Sequence, residues 1–293
     1  MNPAHTPPSP GTALFGKLRT RADYVALAVD YPAAQSLRSW LEGGFEAAVE
    51  RGLDPRLRQP WYFLVCCADE PLSAVGLLTD GQDRVGRRHP RWLCTPIATS
   101  LVMGTDGPLL PLACDPTLNE LIAISAVLDS KPFAELPDAL AAIAPPDSHS
   151  LRRIQDAQRH SLPEKEATLL TAATAAPGFA LSAPGSTPQP RRLPIATAAG
   201  VFVWLELYRR VEGQQGHARS YFWSPAAGQL FVGDGLPQPN WFPRLLPQEL
   251  AKSVRPTPLA PSDSQENVST ATVQNIFAEI LRSVPDLSAG STG

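Results

Sequence analysis

The sequence offers none of the short motifs that usually reveal an enzyme or a metalloprotein. It contains no GxSxG nucleophile elbow, no HExxH helix, no EF-hand loop and no GxGxxG turn. Its four cysteines form no CxxC pair, and its five histidines form no recognisable metal-ligand motif with cysteine or aspartate. We therefore predict a protein that is not an enzyme and uses no metal or cofactor, with buried reduced thiols and solvated histidines.

A secretion signal and long apolar runs are also missing. The opening MNPAHTPPSP has neither the basic nor the apolar segment of a signal peptide, and no run reaches the roughly 20 apolar residues of a membrane helix. Charged residues make up only 18% and the formal net charge is −3, so bulk charge does not favour nucleic acid. These features predict a cytoplasmic protein that neither inserts into a membrane nor binds nucleic acid.

Proline, by contrast, is abundant, with 32 residues. Proline-rich stretches divide the chain into a disordered tail (1–12), a domain (13–252) with an internal linker (177–194), a second linker (253–269) and an amphipathic helix (270–283). Because the apolar stripe of that last helix is unfavourable in water, we expect it to dock on its own domain, a partner or a second copy.

Periodic apolar residues predict an α/β fold. Pro32 opens a helix that continues to about Glu50, and Asp115 and Pro116 are typical of an N-cap and a first helical residue. Further helices are predicted near 137–143, 150–158 and 163–175. Apolar runs predict strands beginning at Ala13 and covering 60–65, 73–79, 92–98, 201–208, 220–224 and 229–232. The expected architecture is a mixed β-sheet flanked by helices, as a three-layer sandwich, with the extra C-terminal helix on its proline-rich linker.

The first strand matches the GxxxxGK spacing of a phosphate-binding loop between Gly11 and Lys17. Leu18 stands where such a loop needs serine or threonine to reach magnesium, and Leu14 and Phe15 occupy positions that should be polar. We therefore interpret this stretch as a strand.

Charge is concentrated in the loop between the strands at 73–79 and 92–98. Its polar residues are Asp83, Arg84, Arg87, Arg88, His89 and Arg91. Gly86 permits positive φ and Pro90 fixes φ, so a shaped loop is expected. Two interpretations remain open. Asp83 could pair with Arg84 or Arg87 and brace the loop, or the arginines could form a recognition surface for carboxylate or phosphate.

The order Asp-Arg-Val-Gly-Arg followed by proline resembles the DRVGR-x-x-P signature of the TagF/ImpM family, accessory proteins of bacterial type VI secretion systems. FGKL before this loop, WLEGG in the first helix, a tryptophan-bearing strand and a later GLP are similar to other family motifs, in the family's order. The family-motif residues that we expect to be structural are Gly16, Lys17, Trp40, Gly86, Pro90, Trp223, Gly235 and Pro237.

The resemblance implies a non-enzymatic, post-translational repressor of type VI secretion assembly that binds a forkhead-associated (Fha) scaffold protein. The candidate partner-binding residues are Asp83, Arg84, Arg87 and Arg88. Two alternatives are an enzyme that acts on a phosphorylated or carboxylated substrate through this loop, and a structural subunit of the assembly.

Overall fold

The computed structural model describes residues 10–104, 107–159, 191–194, 201, 204–205 and 219–247. The helix predicted at 163–175, the linker at 253–269 and the helix at 270–283 lie outside these residues, as do most of the predicted tail and most of the linker at 177–194.

An eight-stranded sheet forms the centre of the fold. Its strands are β1 (Ala13–Lys17), β2 (Tyr24–Leu27), β3 (Trp61–Val65), β4 (Leu72–Thr79), β5 (Arg91–Ala98), β6 (Arg191–Pro194), β7 (Arg219–Ser224) and β8 (Gln229–Asp234). Across the sheet the order is β2-β1-β5-β4-β3-β7-β8-β6, and all neighbouring strands are antiparallel.

Helices lie on both faces of this sheet. They are α1 (Pro32–Glu50), α2 (Thr99–Val102), α3 (Leu110–Ala113), α4 (Asp115–Val127), α5 (Leu136–Ala141), α6 (Ser148–Arg159) and α7 (Phe242–Leu245). The buried apolar residues form two clusters: one joins α1 and α7 to one face of the sheet, and the other joins α3 to α6 to the opposite face. The expected α/β class with flanking helices is confirmed.

The direction of the strands differs from the expected mixed sheet. Strands β1–β2, β3–β4, β4–β5 and β7–β8 are consecutive in the chain and adjacent in the sheet, and short connections of this kind produce antiparallel pairs. Helix α1 does provide a long crossover, from β2 to β3, but these two strands are not neighbours.

Helix α1 packs as its sequence predicts. Pro32 occupies its first turn, and the residues at spacings of three and four that face the sheet are buried, including Leu37, Trp40 and Leu41. The Trp40 indole donates a hydrogen bond from Nε1 to the carbonyl of Gln238 at 3.0 Å. This bond ties α1 to the segment that leads into α7.

Three local predictions need correction. Residues 191–194 belong to the predicted linker but form strand β6, which pairs with β8 at the edge of the sheet. Val201, Trp204 and Leu205 are helical instead of lying in a strand. The sequence around them is apolar at nearly every position, so it fits the repeat of a strand and the repeat of a helix equally well. Val201 and Leu205 are both buried and lie four residues apart, which is the spacing of one helix face.

The start of α4 is the third correction. The N-cap position is Cys114, and Asp115 is the first helical residue. Helix α3 ends at Ala113 and Cys114 keeps an αR conformation, so the chain enters α4 without the extended residue that a capping aspartate would need. Asp115 still stabilises the first turn through its negative charge.

The described residues contain no helix that is long and apolar enough to cross a membrane, and no group of three or more histidine, cysteine or acidic residues that could hold a metal ion. All four cysteines are buried free thiols, as predicted. Burial raises the pKa of the Cys67 thiol to about 11 and that of Cys94 to about 12, which keeps both protonated.

Candidate functional site

Two connections lie side by side at one end of the sheet. One is the turn from β1 to β2 (residues 18–23), and the other is the loop from β4 to β5 (residues 80–90). They are adjacent because β1 pairs with β5, with Phe15 opposite Trp92. The sheet register therefore brings the loop that carries the arginines against a turn more than sixty positions earlier in the sequence.

The backbone of the loop is held in one shape by its own hydrogen bonds. The amide of Asp83 donates to the carbonyl of Arg87 at 3.0 Å, and the amide of His89 donates to the carbonyl of Gly81 at 3.1 Å. Gly86 has a φ of +90°, which an L-residue rarely adopts. The shaped loop that the sequence predicts, with Gly86 at its reversal, is what the structure shows.

The carboxylate of Asp83 is the centre of this arrangement. Although the loop is polar, Asp83 is only 2% exposed. It accepts hydrogen bonds from the amides of Val85 at 3.0 Å and Arg87 at 2.8 Å, and from Arg87 Nε at 2.7 Å. The ammonium of Lys17, itself buried at the end of β1, lies 3.1 Å away. Burial opposes the ionisation of Asp83, but the hydrogen bonds from Arg87 and Lys17 outweigh it and lower its pKa to about 2.

Further contacts join the loop to the β1–β2 turn. The amide of Arg84 donates to the carbonyl of Arg21 at 2.8 Å. The guanidinium of Arg87 donates through Nη2 to the carbonyl of Ala22. Together with the Lys17–Asp83 ion pair, these bonds make the two connections one unit, whose side chains project from a fixed backbone.

The outer side of this unit is basic and exposed. The side chains of Arg84, Arg87 and Arg88 all reach solvent, with Arg87 60% exposed despite its bond to Asp83. Arg88 forms an ion pair with Asp80 at 2.6 Å. Val85, at the tip, is the most exposed of the large apolar residues in the described part of the chain, at 63%. We call Arg21, Arg84, Val85, Arg87 and Arg88 the arginine surface.

The loop therefore contains both a structural brace and an exposed surface, formed by different residues. Asp83 is the brace, and its pairing with Arg87 was one of the expected pairs. Its buried partner, however, is Lys17, which no pattern in the sequence connects with this loop. Arg84 does not pair with Asp83 in the structure: its side chain is exposed.

Arg91 is buried apart from the other arginines of the loop. It is the first residue of β5, and its guanidinium donates to Asp129 at 2.8 Å and to the carbonyl of Ser125 at 3.4 Å. Asp129 also accepts a hydrogen bond from the amide of Arg19 at 3.0 Å. Arg91 thus connects the base of the loop to the end of α4 and is structural.

The remaining family-motif residues hold structural positions. Pro90 is buried beside Arg91, and Trp223 is buried in β7. Gly235 has a φ of +68° and its carbonyl accepts a hydrogen bond from the hydroxyl of Ser220 at 2.6 Å. Pro237 is buried just before α7.

His89 corrects the expectation that the histidines are solvated. Its ring is 1% exposed and packs against Phe15, Tyr24 and Phe45. Nδ1 lies 2.7 Å from the carbonyl of Pro90, so the neutral ring donates this hydrogen bond as its Nδ1–H tautomer. Burial lowers the pKa of His89 to about 4.

This depressed pKa predicts a loss of stability in mild acid. In the unfolded chain histidine titrates near 6.5, so the stability contributed by neutral His89 is present above about pH 6.5 and is lost as the pH falls towards about 4. The free energy of unfolding should drop by about 2 kcal/mol between pH 7.5 and pH 5. Urea unfolding at both pH values measures this drop. His89→Asn keeps a donor near Nδ1 without titrating, so its drop should be much smaller; an equal drop in the variant would contradict the assignment.

A comparison with protein-family models connects this site to a known family. The model described as TagF N-terminal domain, type VI secretion system-associated, matches residues 13–143. Residues 13–143 form a TagF N-terminal domain. The resemblance expected from the sequence is confirmed over these residues, which run from β1 through α5 and include the arginine surface. The TagF domain therefore links the chain to type VI secretion.

Two further comparisons concern whole proteins. The chain is similar to the crystal structure of PA0076 from Pseudomonas aeruginosa PAO1, with 18% sequence identity, a TM-score of 0.46, and coverage of 86% of this chain and 100% of that chain. A comparison with curated proteins gave no match.

The arginine surface has the chemistry to recognise anionic groups. Guanidinium groups bind carboxylates and phosphates through paired hydrogen bonds, and arginine is enriched among the residues that dominate protein–protein binding energies. Two carboxylates contact these arginines: Asp80 pairs with Arg88, and Asp83 is already engaged by Lys17, Arg87 and two amides. A base for catalysis needs a free lone pair directed at the substrate, and this geometry does not favour such a role for Asp83.

Proposed function

We propose that the chain is a non-enzymatic, post-translational repressor of type VI secretion assembly, acting in the cytoplasm through protein–protein binding. The TagF domain supports the connection with type VI secretion. The proposed partner is a forkhead-associated (Fha) scaffold protein of the same system, and the arginine surface is the proposed contact.

This proposal rests on one observation: the β4–β5 loop has buried residues that fix its backbone and exposed residues that are free to bind a partner. Burial of the Lys17–Asp83 pair fixes the backbone, while Arg84, Val85 and Arg87 face solvent. Exposed arginines on a rigid frame bind with little loss of backbone entropy, since the loop is already ordered before the partner arrives. Val85 adds an apolar contact at the centre of the charged groups.

Repression is tested by overproducing the protein in a bacterium with an active type VI system. We expect the wild-type chain to suppress release of secreted components without lowering their cellular amounts. Arg84→Ala should relieve this suppression, because a hot-spot arginine contributes about 2 kcal/mol or more to binding, roughly a thirtyfold change in affinity. Its melting temperature should stay near that of the wild type, since the Arg84 side chain is exposed.

The matched control is Arg153→Ala, which changes an exposed arginine on α6 and should suppress release as the wild type does. Unchanged secretion with the wild-type chain, or falling transcripts of the secretion genes, would contradict post-translational repression. An enzyme would instead show turnover of a phosphate or carboxylate substrate that is lost in Arg87→Ala. A structural subunit would be required for secretion, so its deletion would abolish release.

A further inference from the structure

The two edges of the sheet are protected to different degrees. Exposed edge strands readily pair with other chains, and natural proteins block this with charged residues, proline or bulges. Edge strand β6 has the sequence Arg-Arg-Leu-Pro, which carries both charge and proline. Edge strand β2 has the sequence Tyr-Val-Ala-Leu and carries neither.

In the described part of the chain no strand pairs with the outer side of β2, so peptide groups on that side can pair with a further strand. In an antiparallel pair, alternate residues direct their N–H and C=O groups towards the partner strand or away from it. The amide of Tyr24 donates to the carboxylate of its neighbour Asp23 at 2.8 Å, which places it on the side away from β1. By alternation the amide and carbonyl of Ala26 face the same outer side. The side chain of Val25 is buried in the core, so the strand itself is firmly held.

The side chains next to this edge are of the types found in protein–protein interfaces. Tyr24 is 46% exposed, stacks on Phe15 at a centroid distance of 5.7 Å and lies near the ammonium of Lys17. Ala26 is exposed on the same face of β2. Tyrosine and arginine are among the residue types that most often dominate binding at protein interfaces.

Basic groups stand at the beginning of β2. Arg87 reaches across to the carbonyl of Ala22, two residues before the strand, and Arg21 stacks over the Phe133 ring at 4.2 Å in the same turn. The open strand edge is therefore continuous with the arginine surface. A ligand lying along β2 would meet the guanidinium groups at one of its ends.

We propose that β2 is a docking edge, to which an extended acidic segment of the binding partner adds as a further antiparallel or parallel strand. This inference rests on the proposed function and names the contact through which binding occurs. Strand addition needs a ligand with both N–H donors and C=O acceptors at regular spacing, which a peptide supplies and a nucleic acid or a lipid surface does not. The flanking arginines select carboxylates in that peptide.

The test uses the full chain and the Fha scaffold protein of its own secretion system, with affinity measured by isothermal titration calorimetry. Ala26→Pro removes the outward N–H and should weaken binding about tenfold. Ala26→Thr keeps the N–H and suits a strand, so its Kd should stay near that of the wild type. Arg84→Glu should weaken binding about tenfold at low salt and less at high salt, whereas Arg153→Glu should bind normally.

A second measurement does not depend on the proline variant being folded. Hydrogen exchange of the wild-type chain should show new protection at the amide of Ala26 when the scaffold protein is bound. Binding with no such protection, or unchanged affinity of a folded Ala26→Pro variant, would overturn the docking edge.

The remaining outcomes separate the two proposals. No binding of the wild-type chain to the scaffold protein contradicts the proposed function. Normal binding by Arg84→Glu contradicts the acidic character of the segment. Light scattering that shows a dimer of the wild-type chain, converted to monomer by Ala26→Pro, would overturn the proposal in favour of a second copy pairing at β2.

Discussion

Asp83→Ala is expected to lower the melting temperature by roughly 10 °C or more, because removing one partner of a buried ion pair leaves the other charge uncompensated. The stranded group is the ammonium of Lys17, whose side chain is only 7% exposed. The same substitution deprives the amides of Val85 and Arg87 of their acceptor. Thermal unfolding followed by circular dichroism measures the effect.

Two variants separate the contributions within this cluster. Asp83→Asn removes the charge but keeps an oxygen for the loop amides, so its melting temperature should fall between those of the wild type and Asp83→Ala. Arg87→Ala should have a much smaller effect, because the Arg87 side chain is largely in solvent and exposed ion pairs contribute little. Equal losses for Asp83→Ala and Arg87→Ala would show that the buried lysine is not the main partner.

The pH dependence gives an independent check on this ion pair. The pKa of Asp83 is lowered to about 2, so the stability it contributes is present above the ordinary carboxyl pKa and is lost as the pH falls towards about 2. The difference in melting temperature between the wild type and Asp83→Ala should therefore be full at pH 7 and should narrow below about pH 4.

Local signals in the sequence predicted the elements that local interactions decide. Pro32 and the apolar stripe at spacings of three and four give α1 the bounds that the structure shows. The hairpin of β7 and β8 is predicted equally well, because two apolar runs flank a turn that contains Gly228. The helical residues Val201 and Leu205 were missed, since an almost continuously apolar run carries no single period.

The sequence predicted which charged residues of the loop belong to the site, but not which residues they contact. The loop sequence identifies Asp83, Arg84 and Arg87 as a charged group on a shaped backbone. It does not reveal that Lys17 joins them, because that contact depends on β1 pairing with β5. Burial of His89 depends on the same tertiary arrangement, with rings from β1, β2 and α1 closing over it.

Gly16 stands out in the sequence only as part of the family motif, and the structure explains why this position is glycine. Its φ is +135°, and a Cβ atom built there would lie 2.5 Å from Cβ and 2.6 Å from Cα of Arg91, and 2.8 Å from the carbonyl oxygen of Pro90. Most of these atoms belong to the backbone of β5 and its approach, so they cannot rotate away as the end of a flexible side chain would. The close contact of β1 with the base of the loop thus requires glycine.

Gly16→Ala should therefore destabilise the fold by roughly 2–5 kcal/mol, the combined cost of an unfavourable φ and an overpacked contact. Two control variants separate the cost of the φ angle from the cost of the close contact. Gly52 has a φ of +67° with nothing within 4 Å of the added Cβ, so Gly52→Ala measures the cost of a left-handed φ alone, about 1 kcal/mol, which is a lower bound for the conformational cost at Gly16. Gly11 also has open space and a φ outside the left-handed region, so Gly11→Ala should be close to neutral. Urea unfolding of the three variants gives the comparison.

A loss of stability for Gly16→Ala no larger than for Gly52→Ala would mean that β1 can move away from Arg91 at little cost. In that case the frame beneath the arginine surface would be adaptable instead of fixed, and the surface would not be ordered before binding.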